Sequence, residues 1–214
     1  LVDSDPLALP EIQQMTDDAR DHLQRLVDHL TRPHTDGPRW FYEGKELPVE
    51  SPRDLRRELS EIMRKVYHKT PRINNEVIVR KKPSPIMINA RKKLVLGILE
   101  RHGQSDLGID GHFPDKSMFR TVLLHTGLYC EDRHGRWAYS SPRSQRIHDK
   151  GLRDVWRKYQ EFLTVPSTNP KEFQPFFEEL MMPPYGMRAG VIPILFAAAL
   201  KAFPSAISLT RDGE

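Results

Sequence analysis

Apolar residues at Ile12, Met15, Ala19, Leu23, Leu26, Val27 and Leu30 follow one another mostly at three- and four-residue steps. That is the period of one helix face, so residues 11–30 are predicted to form a surface helix with one buried stripe. Two prolines and a glycine within 31–38 end it. Arg39-Trp40-Phe41-Tyr42 followed by Glu43-Gly44-Lys45-Glu46-Leu47 predicts a short hairpin with Gly44 in the turn. Ser51 and Pro52 are the cap and first residue of a second helix, running on Leu55, Leu59, Ile62, Met63 and Val66. Thr70-Pro71 stops it, because the residue before a proline disfavours helical backbone.

A polar linker with Asn74, Asn75, Arg80, Lys81, Lys82, Pro83 and Pro85 leads to a helix over 86–101, with Leu94, Val95, Ile98 and Leu99 inward. A loop containing Gly103, Gly108 and Gly111 precedes a helix from Pro114 to about Thr126, terminated by Gly127. Residues 128–139 read as two aromatic strands around an Asp132-Arg133-His134-Gly135 turn. Helix, loop, helix and hairpin in that order is the order of a winged-helix module.

The order recurs downstream. Residues 171–182 and 189–203 predict helices on either side of a Pro183-Pro184-Tyr185-Gly186 turn, with Pro193 tolerated in the first turn of the second. Residues 206–210 predict a strand entering the Arg211-Asp212-Gly213 turn. A second, truncated winged-helix-like unit is therefore expected, joined to the first by a charged helix over 147–163. The helix over 189–203 has Arg188 and Lys201 as its only charges and is apolar nearly all round, so it is expected to be buried between elements or against a neighbour. Any exposed apolar surface is assigned to a partner or another domain, and the core and interface readings share most residues. The expected fold is α+β, predominantly α-helical, with winged-helix modules and short β-hairpin wings. Its expected divisions are a helical segment with a hairpin over 1–70, a winged helix over 71–145, and a linker helix with the second unit over 146–214.

Composition adds bounds. With 214 residues, 38% hydrophobic and 29% charged, the chain suits one large or two small globular domains. The longest apolar run, 191–200 with Pro193 inside it, is far short of the roughly 20 residues a membrane span needs, so no membrane partner is expected. Cys130 is the only cysteine, which forbids an internal disulfide or cysteine-based zinc site and fits a reducing cytoplasm. The start at Leu1 has no signal-peptide pattern and no initiator methionine, and the end at Glu214 falls just past a predicted strand. Both features lead to the expectation of a piece of a larger protein.

The net charge of +4 is unevenly spread. Residues 1–50 carry five Lys or Arg against eleven Asp or Glu, whereas 72–101 and 133–158 each carry eight basic against two acidic residues. Clustered cations gain affinity for a polyanion by releasing its counterions, so double-stranded DNA is the first partner to consider. In a winged helix the segment from Pro114 enters the major groove, with Lys116, Ser117, Arg120 and Thr121 outward and Met118, Phe119, Val122 and Leu123 inward. Arg133, His134 and Arg136 then lie at the wing tip near phosphates or the minor groove, and Arg91, Lys92 and Lys93 add phosphate contacts. Only Lys116 and Arg120 are strong readers in that helix, which argues against tight sequence specificity. Winged helices also serve as protein-docking modules.

Enzyme signatures are absent: no Walker loop, no glycine fingerprint after a strand, no His-Glu-x-x-His and no Gly-x-Ser-x-Gly. His22 and His29 are seven apart on one helix face, too far for one metal. Asp106, Asp110, His112 and Asp115 are the one dense acidic cluster, the carboxylates a nuclease needs; capping and turn chemistry explain them more cheaply. Cys130, between Tyr129 and Glu131 on a predicted strand, reads as a packing residue. No catalytic residue, metal or cofactor is expected.

The stretch from Lys69-Thr70-Pro71-Arg72 to Arg80, with Ala90-Arg91-Lys92-Lys93-Leu94, Asp106-Leu107-Gly108-Ile109 and Pro114-Asp115-Lys116-Ser117-Met118-Phe119, resembles a pattern in large bacterial P-loop ATPases of anti-phage defence loci, of the BREX or DNA-phosphorothioation kind. The block from Pro183-Pro184-Tyr185-Gly186 to Pro193 is similar to another part of it, and the resemblance spans roughly 40–214. It implies a C-terminal helical and winged-helix region that engages DNA or other defence subunits, with the ATPase domain elsewhere. It supplies no catalytic residue. The expected function is thus a non-catalytic, mainly phosphate-contacting DNA-binding region of a bacterial defence protein. The alternative is a protein-interaction or scaffold module of a multi-subunit ATPase complex.

Overall fold

The computed structural model describes residues 8–34, 36–75, 78, 83–111, 113–167, 170–204 and 210. They form seven α-helices and two antiparallel two-stranded hairpins, an α+β and mostly helical arrangement. The chain divides into two compact units, Leu1–Lys65 and Val66–Glu214.

The first unit holds helix α1 (Ala8–Thr31), strands β1 (Trp40–Tyr42) and β2 (Lys45–Leu47), and the start of helix α2 (Pro52–Val66). Glu43 and Gly44 both have positive φ, 51° and 76°, the conformation that a two-residue hairpin turn requires. Trp40 pairs with Leu47 and Tyr42 with Lys45, and Arg39 clamps the carboxylate of Glu46 with two N–H groups. Ser51 caps α2 by accepting the Asp54 N–H at 3.2 Å. The expected buried stripe of α1 is not buried. Among its described residues none is buried, and Met15 and Leu30 are 67% and 68% exposed. Periodicity gives α1 an apolar face, but α2 in the same unit also leaves Leu59 and Met63 exposed and buries no residue.

The second unit has one continuous core. Helix α3 (Pro85–Glu100) buries Ala90, Leu94, Gly97 and Ile98, with Val95 and Leu99 packed at its edge, so the inward set read from the sequence is observed. It packs on helix α4 (Pro114–Phe119), which continues as a π-helical turn Arg120–Leu124, and on helix α7 (Ile192–Ala202). Strands β3 (Tyr129–Glu131) and β4 (Trp137–Tyr139) form the second hairpin, β3 against the π-turn and β4 against α7. Helices α5 (Lys150–Thr164) and α6 (Phe173–Met181) complete the unit.

One reading changes here, and one with two outcomes is decided. The helix expected as a charged linker is core: α5 fully buries Leu152, Val155, Trp156 and Tyr159 on one face while its charges lie on the other. The Tyr159 hydroxyl donates to the Ile192 carbonyl at 2.9 Å, and burial pushes its pKa well up. Of the two places open to α7, between elements or against a partner, the first is observed: its apolar surface lies inside the unit. Its residues Ile192, Ile194, Leu195, Ala197, Ala198 and Ala199 are buried, and it packs on α3 and α5. An apolar helix gains more from burial on three sides than a single interface offers, at about 25 cal/mol per Å² removed from water. The segments 71–145 and 146–214 therefore share a core. The strand expected over 206–210 and the turn at 211–213 lie outside the described residues apart from Thr210.

Candidate nucleic-acid interface

Helix, loop, helix and hairpin are present in the expected order, and each joint has a local cause. Pro114 opens α4 behind Phe113, and Gly127 (φ 74°) turns the chain from the π-turn into β3. Gly135 (φ 76°) turns the hairpin tip, and Tyr129 fastens the hairpin to the loop after α3. The Tyr129 hydroxyl donates to the Gln104 carbonyl at 2.8 Å and accepts the Gly103 N–H at 2.9 Å.

On the helix the expected outward set is partly realised. Ser117 and Arg120 are exposed and Thr121 is half-buried, accepting from Asn75 Nδ2 at 2.8 Å. Met118, Phe119, Val122 and Leu123 are buried as read. Lys116 is not outward: it is buried, its Nζ 2.6 Å from Asp106 Oδ2 and 2.5 Å from the Ile109 carbonyl. The reason is the loop before the helix. Asp106 and Leu107 are both left-handed (φ 52° and 54°), which turns the loop back over the first turn of α4, and the ammonium is the donor that satisfies it. Lys116 is thus a strut that fixes the helix start, not a groove contact.

A prediction separates the two roles. Lys116→Met keeps the stem and removes the charge. It should lower unfolding stability by about 1–2 kcal/mol, less than for a fully buried pair because Asp106 is one-third exposed and regains water. The salt dependence of any duplex binding should stay unchanged. Urea unfolding and binding isotherms at several salt concentrations check both halves, and a shallower salt slope in the variant would return Lys116 to the phosphate contacts.

At the hairpin tip Arg133, His134 and Arg136 are exposed. Asp132 organises the turn, its Oδ1 accepting the backbone N–H of His134 at 2.7 Å and of Arg136 at 2.9 Å. The Arg136 N–H, joined by that of His134 and by the Arg136 guanidinium, holds the Asp132 carboxyl below the usual carboxylate range although partial burial opposes it. This contribution is present above the unfolded-state pKa and lost as pH falls through the folded one. On α3, Lys92 and Lys93 are exposed while Arg91 is half-buried, lining a shallow pocket with Ile78, Pro83, Met87 and Met118. Arg80, Lys81 and Lys82, the middle of the first basic stretch, lie outside the described residues.

Two of the three loop carboxylates are accounted for locally, and the third, Asp110, is exposed. Asp106 pairs with Lys116, and Asp115 Oδ1 accepts the Lys116 backbone N–H at 3.0 Å. Among the described residues no three His, Cys, Asp or Glu side chains are grouped to hold a metal ion; His112 is outside them. Cys130 Sγ accepts from Arg146 Nη1 at 2.9 Å and lies 3.5 Å from the Ser140 hydroxyl. Among the described residues no helix is long and apolar enough to cross a membrane. What the sequence did not disclose is a polar cleft beside the π-turn that joins Arg72 to His125 and His148, residues 53 and 23 positions apart along the chain, with no shared motif. The chain matches no protein-family model, no curated protein and no solved structure.

Proposed function

We propose that this chain is a non-catalytic, duplex DNA-binding region that grips mainly the phosphate backbone through a winged helix formed by α3, α4 with its π-turn, and the β3–β4 hairpin. The observation that carries the reading is the pairing of an exposed Arg120 and Ser117 on the second helix with an exposed Arg133, His134 and Arg136 on the hairpin that follows it. The Arg120 and Arg133 guanidiniums have no ion-pair partner among the described residues and are available to phosphates, while Arg136 is exposed but shares its guanidinium with Asp132. The helix offers one long basic reader, Arg120, once Lys116 is committed to Asp106. Affinity then rests on counterion release more than on base readout. Lys92 and Lys93 add to the positive field. The resemblance to ATPases of anti-phage defence loci supports assigning such a region to a larger bacterial defence protein, and the free Cys130 suits a reducing cytoplasm.

Gel-shift titrations over salt test this. Duplex affinity should fall steeply with salt, and the Arg120→Ala, Arg133→Ala, Arg136→Ala triple variant should flatten the log–log slope by about 2–3. Absence of duplex binding by the wild type at low salt ends the reading. The exposed apolar face of α1 supports a second one, a docking module for other subunits of an ATPase complex. It predicts unchanged subunit association in the triple variant and weakened association in Leu23→Glu.

A further inference from the structure

The segment 67–75 belongs to no helix or strand, yet it is held at several points. A Cβ on Gly151 would stand 2.7 Å from the carbonyl oxygens of both Lys69 and Thr70, so only glycine lets the first turn of α5 meet this segment. The Lys69 N–H donates to the Pro184 carbonyl at 3.1 Å, and Asn75 ties the far end to Thr121. Fixed in this way, the segment forms one wall of an open cleft of about 210 Å³. Arg72 and Asn74 line that wall, Thr121, His125 and Thr126 line the wall made by the π-turn and its end, and His148 and Asp149 close the cleft at the start of α5.

The chemistry of the lining is that of an anion site. Asp149, the one carboxylate, is committed to the helix: its Oδ1 accepts the Leu152 N–H at 2.7 Å as the N-cap of α5. Thr121 and Thr126 spend their hydroxyl protons on backbone carbonyls of the preceding turn. Arg72, Asn74, His125 and His148 remain, all N–H donors and one permanently charged, and none has a side-chain partner among the described residues. The cleft also opens from the same π-turn that carries Arg120.

We propose that this cleft binds a phosphate group, with Arg72 supplying charge and His125, His148 and Asn74 supplying directed donors. Resting on the DNA-binding reading, it holds a backbone phosphate of the bound duplex next to the Arg120 contact. A free phosphate or phosphomonoester is the other source of the same chemistry.

The test uses the whole chain and two probes. Inorganic phosphate is titrated at constant ionic strength while the histidine ring signals are followed by NMR, with His125→Asn and His148→Asn assigning the two resonances. Saturable shifts of both rings that disappear in Arg72→Gln, itself folded by circular dichroism, are expected. Wild-type rings that do not respond saturably overturn the site, whatever the protein does with DNA. In the second arm, Arg72→Gln should reduce the salt slope of duplex binding by about 1. An unchanged slope alongside a positive phosphate titration overturns the backbone source and leaves the small phosphate. A wild type that binds phosphate but no duplex retains the cleft and sinks the DNA reading alone.

Discussion

Trp156→Ala should destabilise the Val66–Glu214 unit by about 4–6 kcal/mol, seen in urea unfolding as a fall in midpoint with little change in slope. The indole is fully buried, in ring contact with Tyr139, Tyr159 and Phe203 at centroid distances of 6.5, 6.2 and 5.0 Å. Removing a buried Trp leaves a cavity that a helix held on both sides cannot close, a cost of about 3–5 kcal/mol. The indole N–H also donates to the Ser140 carbonyl at 2.8 Å, so truncation orphans a buried acceptor for roughly 1 kcal/mol more. Trp156→Phe, which keeps most of the volume and loses the donor, should cost about 1.5–3 kcal/mol. A loss below about 1 kcal/mol in the alanine variant would make α5 the peripheral connector its charges suggest.

Gly127→Ala should be comparably damaging, at about 3–5 kcal/mol, with the folded protein recovered in low yield. Two effects add. The residue has φ 74°, where a side chain costs about 1–2 kcal/mol. In addition, the new Cβ would stand 2.0 Å from the Arg146 carbonyl oxygen and 2.6 Å from its carbon, both backbone atoms that cannot rotate away. Gly135→Ala provides the internal comparison. Its φ of 76° carries the same conformational penalty, but the nearest atom to the new Cβ is Glu131 Oε1 at 3.7 Å, so about 1–2 kcal/mol is expected. Equal losses in the two variants would remove the clash with Arg146 from the account. Thermal and chemical unfolding of the pair measure the difference directly.

The contrast between these glycines shows how legibility varied along the chain. Both were readable as turn residues, because a positive φ next to a polar turn or a helix end is a property of three or four consecutive residues. Nothing local reveals that Gly127 lies under the turn at Arg146, 19 positions later. Lys116 follows the same rule. Its place beside Met118 and Phe119 gave the helix its phase, yet its burial depends on a loop that brings Asp106 back over it. The candidate site was legible where it is made of exposed residues on one element, as with Ser117, Arg120 and the hairpin tip. It was illegible where three segments converge, as at Arg72, His125 and His148.

Sequence alone determined the element types and most of their ends: the Ser51 cap, Pro114 and Pro193 at helix starts, the two hairpin turns, and the inward face of α3. These follow from backbone sterics and short-range hydrogen bonding, which neighbouring residues settle between themselves. Tertiary structure alone decided which apolar faces are covered. It buried α5 and α7 in one core and left the stripe of α1 open. It also turned Lys116 from a groove contact into a strut. Periodicity states that a face is apolar; what removes it from water is a surface from elsewhere in the chain, and no local pattern encodes that partner.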